Sequence, residues 1–142
     1  MKLSFRWLML PLAALGVAPL ASAGDAVSLA ERDAITATVA QATAQQLKID
    51  AAKLRLVPDR IQRQGAWAFV TAHLRDAAGQ RFDYAGTPLH TAAQSGGVSS
   101  LCAALLRRDG DGWQLVDIAV GPTDVAWEPW AATHKAPAGL FQ

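Results

Sequence analysis

A single cysteine, Cys102, is the whole thiol complement of this 142-residue chain, so no disulfide can form within it. There are also only three histidines, His73, His90 and His134, and no His-x-x-x-His or cysteine pair accompanies them. A dedicated zinc or iron site is therefore not expected, and no cofactor motif appears: Ser95, Ser99 and Ser100 lie in a glycine-rich stretch without a Gly-x-Ser-x-Gly elbow or a phosphate-binding lysine. Runs of one charge are absent, which removes the usual footprint of a nucleic-acid binder. Past residue 23 no apolar run is long enough to span a bilayer, so no membrane anchor is expected in the remainder.

What is present at the start is an export pattern. Lys2 and Arg6 precede an apolar run over residues 7–20, interrupted by Pro11, Gly16 and Pro19, and the small residues Ala21, Ser22 and Ala23 follow. That order predicts a cleavable signal peptide over residues 1–23 and a mature chain of residues 24–142, periplasmic or secreted. Losing Lys2 and Arg6 leaves eleven basic residues against twelve acidic ones, a net charge of −1. A chain of this length fits one domain with a core that needs no staples. Cys102, inside the apolar run of residues 101–106, is expected to pack there as a small hydrophobe.

Along the mature chain, Ser28 and Glu31 have capping-box spacing, and Ile35, Val39, Ala42 and Gln46/Leu47 follow at helical period, predicting a helix over residues 29–47. Residues 53–57 alternate like a strand, and Pro58 points to an edge or a bulge before the polar stretch to Gly65. Residues 66–75 are the strongest strand, with Trp67, Phe69, Thr71 and His73 on one face. A return strand over residues 80–84 and an irregular loop over residues 85–100 are expected next. Strands over residues 101–108 and 113–120 flank Asp109-Gly110-Asp111-Gly112, a hairpin signal that lacks the later ligands of a calcium loop. Asp124 is expected to cap a short helical segment reaching about His134. The fold class expected is α+β: one long N-terminal helix on a bent antiparallel sheet of about four strands, with a short C-terminal helical segment.

That arrangement resembles the cystatin-like and nuclear-transport-factor-2-like folds, in which a bent sheet wraps a helix. Residues 65–70 (GAWAFV), 104–108 (ALLRR), Gly112-Trp113 and residues 121–127 (GPTDVAW) also resemble a group of small exported bacterial proteins to which no activity is assigned. Neither resemblance implies particular functional residues, since these folds host enzymes, carriers and binding modules alike.

Two site readings follow. His73 and Asp117 each lie within an apolar strand, and an antiparallel sheet bringing them together would create a general base and its orienter; the alternatives are a hydrogen bond without catalysis and side chains on opposite faces of the sheet. With Trp67 and Phe69 they would line a pocket between helix and sheet for a small apolar molecule. Alternatively, Trp127 and Trp130, at i, i+3 spacing, form an aromatic ridge that either covers the open end of the sheet or anchors another envelope protein. The expectation is a non-enzymatic binding module of the cell envelope.

Overall fold

The computed structural model describes residues 24–142; the expected signal peptide, residues 1–23, lies outside the described residues. Helix α1 (Leu29–Leu47) leads into strands β1 (Leu54–Gln64) and β2 (Trp67–Asp76). A loop carrying helix α2 (His90–Gln94) connects to β3 (Leu101–Asp109) and β4 (Gly112–Val120), and helix α3 (Trp130–His134) and a 3-10 turn (Ala138–Phe141) follow. The strands form one antiparallel meander in the order β1-β2-β3-β4.

The buried stripe of α1 is Ile35, Val39, Thr43 and Leu47, with Ala44 beside it, one residue in four over three turns. Thr43 takes the place expected of Ala42 because its hydroxyl is satisfied inside the helix, donating to Val39 O at 2.7 Å and lying 3.5 Å from Cys102 Sγ. The stripe packs on Ala68, Val70, Ala72, Leu74, Cys102, Ala104, Leu106 and Trp113 of the sheet.

Both β-hairpins turn through two residues, with glycine first and at positive φ: Gly65 at 59° and Gly110 at 59°. That is the φ pattern of a II′ turn, whose twist matches the strands it joins. The capping box is half formed. Ser28 Oγ accepts from Glu31 N at 3.2 Å, while the Glu31 carboxylate turns to Arg108 and Arg63, the latter at 3.5 Å.

Three local expectations change. Residues 80–84 make one bridge, Arg75 to Arg81, and then Phe82 and Tyr84 drop into the core in an edge-to-face contact of 5.2 Å, so aromatic burial replaces strand pairing. Within residues 85–100, α2 forms a short turn of helix that Gly96 ends at φ 74°. Asp124 caps no helix, because Pro129 disfavours helical geometry in Glu128; α3 begins only after that proline.

The second face of the sheet is also covered. Residues 121–142 return across it as a strap whose Trp130, Ala136 and Leu140 bury against Phe69, Ala103 and Leu105. Phe69 sits at the centre, with ring centroids 4.8 Å from Phe141, 5.8 Å from Trp127 and 6.4 Å from Trp130. The domain thus has three layers: helix, sheet and strap.

Candidate functional site

Strand alternation sends Trp67, Phe69, Thr71 and His73 to the strap side, while Ala68, Val70, Ala72 and Leu74 face α1. The expected pocket between helix and sheet therefore does not contain Trp67, Phe69, His73 or Asp117, because those side chains lie on the opposite face from the helix. The helix–sheet interface itself is filled by close-packed apolar side chains.

His73 and Asp117 are not brought together. Asp117 pairs across to Leu105, which pairs with Phe69, and His73 is four residues farther along β2. The two are offset by roughly 13 Å along the strands and about 10 Å across them. Asp117 instead meets His134, 17 positions on, where the strap passes over β4: Asp117 Oδ2 lies 2.7 Å from His134 Nε2. The other carboxylate oxygen, Oδ1, accepts from the backbone N–H of Ile118 at 2.8 Å. Sequence reasoning missed His134, since nothing near it in the chain marks a partner supplied by a returning strap.

The aromatic ridge also takes the covering role. Trp130 is 5% exposed and Trp127 is half-buried against Phe69, so Trp130 cannot serve as an exposed anchor. Trp67, half-buried, lies beneath Arg107 at 5.2 Å, and Trp113 lies beneath Arg108 at 4.8 Å on the other face. Among the described residues no group of three or more His, Cys, Asp or Glu could hold a metal ion, and no helix is long and apolar enough to cross a membrane.

Burial raises the pKa of two groups at the α1 face. Desolvation pushes the Cys102 thiol up to about 11, against a smaller opposing effect of its contact with Thr43. Tyr84, whose hydroxyl donates to Ser99 O at 2.6 Å, is pushed up to about 12, first by burial and then by the nearby Cys102. Both stay protonated at neutral pH, so Cys102 is a poor nucleophile.

Clefts remain at the surface. One of about 410 Å3, lined by Lys48, Asp50, Lys53, Asp76, Asp83 and Thr87 among others, separates the end of α1 from the 82–87 segment; its mixed charge does not suit an apolar guest. Two more flank β4. A groove of about 280 Å3 runs between Thr38, Gln41 and Gln45 of α1 and Gln114 and Leu115, and another of about 380 Å3 is lined by Arg107, Arg108, Asp109, Gln114 and Val116.

The two edges of the sheet differ. β1 carries Arg55, Arg60 and Arg63, Pro58 and a bulge at Asp59, and the chain at Asp25 donates its N–H to Arg63 O at 2.8 Å. Those are the devices that stop an edge from pairing with another strand. β4 has one charged residue in nine, Asp117, and a single bulge at Val116, and Leu115 on it is 37% exposed. Compared with known proteins, the chain matches no family, no curated protein and no solved structure.

Proposed function

We propose that the chain is an exported, non-enzymatic binding module of the cell envelope, of the cystatin-like or nuclear-transport-factor-2-like kind, and that it captures an extended segment of another envelope protein along β4. The observation that carries this reading is the outermost, nearly uncharged β4 strand, which pairs with no further strand and lies between two grooves that meet at Gln114. Strand addition needs those two things: backbone donors and acceptors along an edge give affinity, and recesses on either side take alternate side chains of the guest. The helix-then-meander order supports the fold resemblance. A small-molecule or weakly catalytic reading would have to rely on surface clefts, since both faces of the sheet are covered.

The test is capture of partners from envelope extracts by the purified protein and two edge variants. Leu115→Lys puts a charge on the β4 edge and should abolish capture; Val57→Lys, at the 48% exposed Val57 of the opposite edge, should leave it intact. Equal capture by both variants, or equal loss, would refute β4 as the binding edge.

A further inference from the structure

The Asp117–His134 pair has the look of a catalytic dyad, but its geometry relates it to the strand edge. Leu74 N donates to Ser100 O and Arg108 N to Ala66 O, so the even-numbered residues of β3 bond toward β2 and the odd-numbered ones toward β4, as the bond from Gly121 N to Leu101 O at 2.8 Å also shows. Alternation from that point makes Ala103–Ala119 and Leu105–Asp117 hydrogen-bonded pairs, and Ala104–Ile118 a pair whose N–H and C=O groups point outward. The Ile118 N–H therefore faces the free side of β4, where a pairing strand would place a carbonyl. It already has an acceptor. Asp117 Oδ1 occupies that position at 2.8 Å, and His134 Nε2, 2.7 Å from Oδ2, holds the carboxylate there.

We infer that the Asp117–His134 pair is a latch that closes the β4 edge by occupying its Ile118 donor, so that any strand adding to β4 must first displace the Asp117 carboxylate. The bulge assists, because the extra residue Val116 shifts Asp117 so that its side chain can lean over the edge while its backbone still pairs with Leu105. His134 is placed by α3, whose other end is anchored by the buried Trp130, so the latch is tied to the strap rather than to the sheet alone. With Asp117 replaced, β4 is a strand with no charge at all, and the occupant within reach of every molecule is the β4 of a second copy. Antiparallel self-pairing is two-fold symmetric and meets no like-charge contact on an uncharged strand. The inference rests on reading β4 as the free edge, but its test uses only this chain and so stands or falls apart from partner capture.

Amide exchange and sedimentation on the purified protein decide it. In the unaltered protein the Ile118 amide should exchange at least tenfold more slowly than that of Val120, the next outward-facing position, and the protein should sediment as a monomer. Asp117→Ala should produce dimers as concentration rises and, diluted to the monomer, should speed Ile118 exchange about tenfold; His134→Ala, which leaves β4 untouched, should shift both readouts in the same direction. Adding Leu115→Lys to Asp117→Ala should restore the monomer while Ile118 exchange stays fast. Dimers that persist in that double variant would place association elsewhere and overturn the latch. So would a monomeric Asp117→Ala protein whose Ile118 amide exchanges as slowly as before.

Discussion

Replacing Phe69 with alanine removes the side chain on which the strap closes. Its relative exposure is 0%, and it touches three strap rings, with centroids at 4.8, 5.8 and 6.4 Å. A buried phenylalanine withdraws about 200 Å2 from water, equivalent to about 5 kcal/mol at ~25 cal/mol per Å2, of which the remaining methyl keeps a part. Forfeited ring-on-ring attraction and the cavity left behind act in the opposite sense, and the expected cost is about 4 kcal/mol. With a urea dependence of ~1.5 kcal/mol per M, the unfolding midpoint falls by about 2–3 M. Phe69→Leu, which fills most of the same space, should cost only about 1 kcal/mol and keeps the comparison interpretable if the alanine variant is barely folded. Urea titration followed by far-UV circular dichroism measures the loss, and tryptophan emission reports the strap, because Trp127 and Trp130 both lie against Phe69. A loss of less than ~1 kcal/mol in Phe69→Ala, with native emission unchanged, would refute the three-layer description.

Alkali should destabilise the domain in a defined window. Cys102 holds its proton more tightly when folded, about 11 against 9.0, so its contribution is complete below pH 9 and is lost as the pH rises toward 11; Tyr84 extends the decline to about 12. Cys102→Ala should flatten the fall in chemical stability between pH 9 and 11, by about 2–3 kcal/mol at most, and an unchanged slope would count against its buried, protonated state. Glycine substitutions should rank by space as well as by φ. Gly121 sits at φ 70°, and a Cβ there would meet Val98 Cβ at 3.2 Å and Tyr84 Oη at 3.3 Å, whereas Gly110 and Gly96, at 59° and 74°, have nothing within 4 Å. Gly121→Ala is therefore expected to cost about 2–3 kcal/mol against ~1 for Gly110→Ala or Gly96→Ala in thermal or urea unfolding, and equal losses would mean that the 98–99 segment yields freely.

By itself the sequence determined the elements whose causes are local. The 29–47 helix is written in a serine cap and apolar residues at helical spacing, the β3–β4 hairpin in its Asp-Gly turn, and the β2 faces in strict alternation. Even Pro58 marked its bulge, since a residue without an N–H must sit where the ladder is interrupted. Tertiary structure alone decided what depends on which distant segment arrives. The tryptophans at 127 and 130 have the same spacing whether they cover a sheet or face a partner, and only the return of residues 121–142 across Phe69 made them a covering layer. The same return put His134, rather than His73, beside Asp117. Glu31, whose spacing from Ser28 matched a reciprocal cap, was drawn to Arg63 and Arg108, because two guanidinium groups from β1 and β3 outcompete one backbone N–H. A strand edge is likewise invisible in a linear pattern: which of four strands lies outermost, and whether a side chain leans over its free donors, is settled by sheet order and by a one-residue bulge.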